Sequence, residues 1–170
     1  MSAEIDTSPK PGRLKRWVID PVITQLTQGV TPERLAWSIA IGMVAGVFPI
    51  MGTTSLLCFL IAWWLKLNQP VIHVFSTIVY PAHLALILVF IQMGQNLHGA
   101  PPIHLSIPEL LSEFKNDPMQ FVRIFGLAAW HGVTAWLLVA PIAILLIWFA
   151  ALPVLRRMAR AIQNRKEVLA

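Results

Sequence analysis

The chain has 170 residues, of which 56% are hydrophobic and only 12% are charged, and its net charge at pH 7 is +5. A soluble domain usually carries about a quarter charged residues, so this composition argues against an ordinary soluble fold. It favours an all-α integral membrane protein, a helical bundle in the lipid bilayer. The basic residues cluster near the two ends, which points to anionic lipid headgroups rather than nucleic acid as their partner.

Residues 1–30 are predicted to form a cytoplasmic N-terminal tail with an interfacial amphipathic helix. In Arg13–Gln28, apolar residues recur at near-helical spacing beside basic residues that include Arg13, Lys15 and Arg16. A basic amphipathic segment of this kind is typical of a helix that lies among anionic lipid headgroups. A solvated linker is the alternative interpretation of the same segment.

Residues 31–68 are organised around an apolar run, Leu35–Leu65, which no charged residue interrupts. Thr31, as the N-cap, and Pro32 are predicted to start its first helix. Pro49 and Gly52 break the run in the middle. Each half of about 15 residues makes about 22 Å of helix, which is shorter than the ~30 Å hydrocarbon core of a bilayer. We therefore predict a broken helical hairpin that re-enters the membrane, with two short complete spans as the alternative.

Two features make this hairpin a candidate substrate or packing site. Gly42 and Gly46 form a GxxxG pattern, along which another helix can approach closely. Thr53, Thr54 and Ser55 follow the turn at the positive end of a half-helix, where transporters hold anionic groups. A generic packing seam and a turn without a ligand are the alternatives. The candidate residues are Gly42, Gly46, Pro49, Gly52, Thr53, Thr54 and Ser55.

Short motifs in this part of the chain resemble the signature of one bacterial family. In chain order they are Thr31-Pro32-Glu33-Arg34-Leu35-Ala36, Ala40-Ile41-Gly42, Gly46-Val47-Phe48-Pro49, Gly52-Thr53-Thr54 and Lys66-Leu67-Asn68-Gln69-Pro70. The family is catalogued as domain of unknown function 2062, and it has an Asn-Pro step where this chain has Tyr80-Pro81. The resemblance implies a bacterial inner-membrane protein of unassigned activity. Relatives that carry the domain beside glycosyltransferase-type modules imply a role in envelope biogenesis.

Residues 71–94 and 121–152 are predicted to form two transmembrane helices, and Pro81 is predicted to kink the first because it interrupts the backbone hydrogen bonding. The polar side chains of the first fall on one helical face, which must face protein or water. These residues are His73, Ser76, Thr77, Tyr80 and His83. In the second helix, His131 and Thr134 are polar, and His131 lies about as deep as His83 below the outer end of its span. We therefore predict that the two histidines pair, either for proton-linked transport or as an interhelical hydrogen bond.

Residues 95–120 are predicted to form a periplasmic loop. The loop contains His98 and His104 without the ligand spacing of a metal site, so no metal or other cofactor is predicted. An enzyme would need one of the acidic residues of this loop, Glu109, Glu113 or Asp117, at the outer surface.

Residues 153–170 are predicted to form a basic cytoplasmic tail. Arg156, Arg157 and Arg160 are expected to contact lipid headgroups there. Because both basic ends should be cytoplasmic, we predict a multi-pass protein with an even number of crossings. The family resemblance implies that its membrane is the bacterial inner membrane.

Catalytic signatures such as Cys-x-x-Cys, His-Glu-x-x-His and Gly-x-Ser-x-Gly do not occur in the sequence, and no catalytic residue is predicted. Three classes of function remain. The favoured class is a structural or accessory subunit in envelope biogenesis, in a homo-oligomer or a larger membrane complex. A small oligomeric transporter with a polar site at the re-entrant turn is the alternative, and an enzyme that acts on lipid-linked material is the third.

Overall fold

The computed structural model describes residues 19–101 and 117–169, and all regular secondary structure in these two ranges is helical. The helices are α1 (Asp20–Thr27), α2 (Pro32–Gly46), α3 (Thr54–Trp64), α4 (Gln69–Ile78), α5 (Tyr80–Leu97) and α6 (Pro118–Leu169). The predicted all-α class is therefore confirmed for the described part of the chain. Arg13, Lys15 and Arg16 lie outside that part, as do residues 102–116 of the predicted loop.

Helix α2 lies at the centre of the bundle, and local sequence signals set its ends. Thr31 Oγ1 accepts a hydrogen bond from the Arg34 backbone N–H at 3.4 Å. Pro32 occupies the first turn, where no backbone donor is needed, and the helix ends at Gly46, shortly before Pro49. Ten of its residues are buried because α3, α4 and α6 pack around it.

The predicted break in the apolar run is present between α2 and α3. Gly52 has φ +82°, a left-handed conformation that glycine adopts without a steric penalty, and the chain reverses there. Helix α3 returns beside α2, and the backbone N–H of Asn68 then donates to Ser38 Oγ at 3.0 Å. The hairpin therefore begins and ends near the same end of α2. Its helices have 15 and 11 residues, which correspond to about 22 and 16 Å.

The predicted span over residues 71–94 consists of two helices rather than one kinked helix. Helices α4 and α5 meet at Val79 with a bend of 71°. Pro81 lies in the first turn of α5 and has no backbone N–H, so it cannot continue the hydrogen bonds of α4. Helix α4 packs against α2, whereas α5 turns away and packs along α6.

Helix α6 is one continuous helix of 52 residues that covers both the predicted last span and most of the predicted basic tail. It runs antiparallel to α2. Near the end of α2, Trp136 donates its Nε1–H to the Val44 carbonyl oxygen at 3.1 Å. Near the start of α2, Leu155 packs in the same apolar cluster as Leu35.

Among the described helices, α6 alone is long and apolar enough to cross a membrane by itself, over Pro118–Asn164. Helices α4 and α5 make a second candidate span if the bent pair is counted as one. Helix α3 is apolar, but with 11 residues it is too short to cross. By length and composition alone, the described residues therefore support one or two complete crossings.

Candidate functional site

A seam joins α2 to α4, and the α2 side of this seam is formed by two glycines that lie against the backbone of α4. A Cβ atom placed on Gly42 would lie 2.6 Å from the carbonyl oxygen of Ile72, and one placed on Gly46 would lie 2.8 Å from the Cα atom of Ser76. Real Cβ atoms essentially never approach other atoms so closely, so a larger residue at either position would force the helices apart. Both glycines of the predicted GxxxG pattern therefore contact a helix of the same chain.

The turn between α2 and α3 is held against α5 and α6 by Pro49, which is buried. A Cβ atom placed on Gly132 of α6 would lie 3.2 Å from the Pro49 ring and 3.3 Å from the Ile91 side chain of α5. These contacts cover one side of the turn with protein. Gly52, by contrast, is exposed at the tip of the turn. Irregular backbone at membrane depth needs such cover, because its unpaired polar groups are costly in lipid.

The three hydroxyl residues after the turn do not converge on one binding space. Thr53 Oγ1 donates to the Ile50 carbonyl oxygen at 3.0 Å, and Ser55 is exposed. Thr54 Oγ1 is buried without a hydrogen-bond partner among the described residues. A cavity of about 290 Å³ lies beside the turn, but its walls are apolar and include Ile87 rather than any of the three hydroxyls. The turn thus presents an apolar cavity, and the hydroxyl groups lie away from it.

The predicted polar stripe is divided by the bend between α4 and α5. Ser76 is buried at the α2 seam, whereas Thr77 is exposed and donates to the His73 carbonyl oxygen at 2.8 Å. Beyond the bend, Tyr80 is 52% exposed and His83 only 2%, and their rings meet edge to face at 5.7 Å. Neither ring nitrogen of His83 has a hydrogen-bond partner in the described part of the chain. The stripe therefore does not form one continuous polar surface.

The predicted pair of His83 and His131 is wrong. A Cβ atom placed on Gly94 would collide with the His131 backbone, so His131 lies beside Gly94. Gly94 is eleven residues from His83, which is about 16 Å along α5. His131 stacks instead on His98, with ring centroids 4.9 Å apart, and its carbonyl oxygen accepts from Thr134 Oγ1 at 2.8 Å. The prediction assumed that the outer ends of the two spans lie at the same level, but α6 extends much further past this contact than α5 does.

The predicted headgroup arginines of α6 share one groove, which we call the arginine groove. Its volume is about 500 Å³, and it is lined by Trp148, Phe149, Leu152, Pro153, Arg156, Arg157 and Arg160. Arg156 is held to α2, because its Nε and Nη2 atoms each lie 3.0 Å from Glu33 Oε1. The Glu33 backbone N–H and, to a smaller extent, Arg156 keep the pKa of this carboxyl below its ordinary value. Within the described ranges, Arg157 and Arg160 have no ion-pair partner.

The motifs that form the seam and the turn are those on which the family resemblance rests. A bacterial family described as "Uncharacterized protein conserved in bacteria (DUF2062)" matches residues 15–163. The chain belongs to the DUF2062 family. The predicted membership is therefore confirmed over almost the whole sequence. No curated protein and no solved structure matches the chain.

In this DUF2062 protein, the sequence prediction missed a polar cluster where α5 meets α6. The prediction assigns His98 to the loop, but α5 extends to Leu97, and His98 Nδ1 lies 2.8 Å from the Gly94 carbonyl oxygen. Gln95 and His131 are buried beside it, and Gln95 Nε2 and His131 Nδ1 lack hydrogen-bond partners among the described residues. The sequence feature that could have revealed this cluster is the four-residue spacing of Gly94 and His98, which places them one helical turn apart.

Other candidate chemistry in this DUF2062 protein has structural roles. Asp117, an acid that an enzyme could use, instead caps α6, because its Oδ1 atom accepts from the backbone N–H groups of Met119 and Gln120 at 3.0 Å. Cys58 is a buried free thiol. Among the described residues, no group of three or more His, Cys, Asp or Glu side chains could hold a metal ion. His104, Glu109 and Glu113 lie outside the described ranges.

Proposed function

We propose that this protein is a multi-pass protein of the bacterial inner membrane and serves as a structural or accessory subunit in envelope biogenesis. The family is bacterial, and α6 has the length and composition of a transmembrane helix. Large apolar side chains of α3 and α6 are exposed, as expected for surfaces that face lipid or another membrane protein. The envelope role rests on the family resemblance, which implies relatives that carry this domain beside glycosyltransferase-type modules.

Contacts near one end of the bundle support a topology with both termini in the cytoplasm. Glu33 at the start of α2 pairs with Arg156 of α6, and Asn68 before α4 bonds to Ser38. This end carries the arginines of α6, as the positive-inside rule expects of a cytoplasmic face. From this end, α2 and α3 would enter and return as a re-entrant hairpin, α4 and α5 would cross together, and α6 would cross back.

The observation that carries the accessory role is the exposed face of α3. Leu56, Phe59 and Leu60 on this face are exposed, and Trp63 and Trp64 at the end of the helix are 70% and 77% exposed. Because α3 is only about 16 Å long, it is too short to span the bilayer, so spanning cannot be what holds it in place. Aliphatic and aromatic residues at this spacing form the kind of helix face that docks in a groove of a partner. We assign this face to a partner membrane protein.

Photo-cross-linking in cells tests this assignment. A cross-linking amino acid at Phe59, which is 51% exposed, should give a discrete adduct with one other membrane protein. The matched control is Leu146 of α6, which is 66% exposed and should give only products with lipid. An adduct with a second copy of the chain would show a homo-oligomer instead. Equal, diffuse products at both positions would contradict the accessory role.

A small oligomeric transporter is the second candidate, and the cavity of about 290 Å³ beside the turn favours it. The apolar walls of this cavity suit an apolar molecule better than an ion. Filling the cavity with Ala129→Leu should then block transport while leaving the cross-links at Phe59 unchanged, which separates the two candidates. An enzyme that acts on lipid-linked material remains the third class, and Asp117 is already engaged in capping α6.

A further inference from the structure

The arginine groove changes from apolar to cationic along α6. No charged residue lies between Ile124 and Leu155, and Arg156 is the first to follow. Trp148, at the apolar end of the groove, precedes Arg156 by eight residues, or about 12 Å of helix. Seen from the membrane side, the groove therefore has an apolar floor and a rim of guanidinium groups. A phospholipid has the same order of groups, with acyl chains below and a phosphate at the bilayer surface.

The three arginines of the rim all line this one groove. Arg156, Arg157 and Arg160 are neighbours on one turn of α6, because residues three and four apart lie side by side on a helix. Their three positive charges less the one negative charge of Glu33 leave two positive charges. A phosphodiester headgroup supplies one negative charge, whereas a phosphomonoester carries about 1.5 to 2 at pH 7. Guanidinium groups bind phosphate oxygens in a bidentate manner, which adds geometric specificity.

We propose that the arginine groove binds a bilayer lipid whose headgroup is a phosphomonoester. The phosphate contacts Arg157 and Arg160, and an acyl chain lies along the apolar floor beside Trp148. Glu33 serves as a positioning residue, since it holds Arg156 at the rim. This proposal goes beyond the accessory role and is independent of it, because the partner face lies on α3 and the lipid groove on α6.

Tryptophan quenching in nanodiscs that contain the full chain tests the proposal. The probe is phosphatidic acid with brominated acyl chains in a phosphatidylcholine bilayer, and Trp148 is the reporter. The comparison lipid is brominated phosphatidylglycerol at twice the molar fraction, so that the surface charge is similar. Phosphatidic acid should quench more strongly, and Trp148→Phe should remove the difference. Equal quenching by the two lipids would overturn the proposal, because it would indicate attraction to surface charge alone.

Arginine variants locate the binding. Arg157→Gln with Arg160→Gln should weaken the apparent affinity for phosphatidic acid about thirtyfold, since each basic residue near the surface contributes about fivefold. Arg123→Gln, at the other end of α6, is the matched control and should change nothing. If the double glutamine variant fails to fold, Arg157→Lys with Arg160→Lys carries the test. Lysine keeps the charge but loses the bidentate geometry, so the preference for phosphatidic acid should shrink. An unchanged preference, or an equal loss in Arg123→Gln, would contradict the proposal.

Discussion

The chain interrupts its apolar sequence twice, and the two interruptions differ in kind. Between α2 and α3 the chain reverses, and Gly52 there has φ +82°. Between α4 and α5 the chain only bends, by 71°, and no residue at the bend has a positive φ. Both helices keep their backbone hydrogen bonds up to the bend, since the Val79 N–H donates to the Phe75 carbonyl oxygen and the Val79 carbonyl oxygen accepts from the His83 N–H. Glycine permits a reversal, whereas proline removes a single hydrogen bond and permits a bend.

The two interruptions also contact each other. A Cβ atom placed on Gly46, the last residue of α2, would lie 2.5 Å from Cγ2 of Val79, the residue between α4 and α5. The end of α2, just before the reversal, therefore lies in direct contact with the bend between α4 and α5. In a bilayer, irregular backbone is tolerated when protein covers it in this way.

The largest expected effect comes from Gly46→Leu, which separates the two interruptions. The new side chain would overlap Val79 and Ser76, so both the reversal and the bend should be disrupted. We expect a loss of about 3 kcal/mol or more in the free energy of unfolding. The yield of monodisperse protein in detergent and the midpoint of thermal unfolding measure this loss. Gly126→Leu is the control, because a Cβ atom there meets no atom within 4 Å. Equal yields and equal unfolding midpoints of the two variants would contradict the close contact between Gly46 and α4.

A second variant, Gly52→Ala, addresses the reversal alone. Space is available around Gly52, but its φ of +82° is unfavourable for a residue with a Cβ atom. We expect a destabilisation of about 1–2 kcal/mol, measured by denaturant unfolding in detergent. Gly126→Ala, within helix α6, should be neutral or stabilising by about 0.5–1 kcal/mol. A neutral result for Gly52→Ala would show that the reversal does not depend on this conformation.

Pro81→Ala addresses the bend alone. The substitution restores a backbone N–H, which can extend the hydrogen bonding of α4 into α5. The stability should change by less than about 1 kcal/mol, and the bend should fall below its present 71°. Spin labels at Val74 and Leu88, in a background without Cys58, would report this as a longer distance. An unchanged distance would mean that packing against α2 and α6, rather than Pro81, sets the bend.

The smallest effect is expected for Glu33→Gln, far from both interruptions. The side chains of the Arg156–Glu33 pair are 52% and 46% exposed, and exposed pairs contribute little because solvent screens them. The pKa of Glu33 in the folded state lies below its ordinary value of 4.5. The contribution of the Glu33 carboxylate to the free energy of unfolding is therefore fully present above that pH, and it is lost as the pH falls through the lower folded-state pKa. The unfolding midpoint of the native protein should therefore drop slightly more on acidification than that of the variant. A larger drop in the variant would contradict the predicted direction of the pKa shift of Glu33.

Local features of the sequence were sufficient to predict where α2 begins and where the hairpin turns. Thr31 and Pro32 start α2, and Pro49 and Gly52 separate it from α3, as the structure confirms. These signals are reliable because capping and turn formation depend on a few adjacent residues and their backbone preferences. The bend at Pro81 was predicted as a kink, but its size was not, because a proline permits a range of angles and packing selects one.

By itself, the sequence determined the helical class, the family and the break in the apolar run. Only the tertiary structure decided which side chains meet. Glu33 and Arg156, which are 123 positions apart, form an ion pair that anchors the arginine groove. His131 contacts His98 rather than His83, because α6 extends beyond the end of α5 and the two helix ends do not lie at one level. Each residue added to a helix moves the following side chains by about 1.5 Å and rotates them by about 100°, so contacts between helices depend on a register that local patterns do not contain.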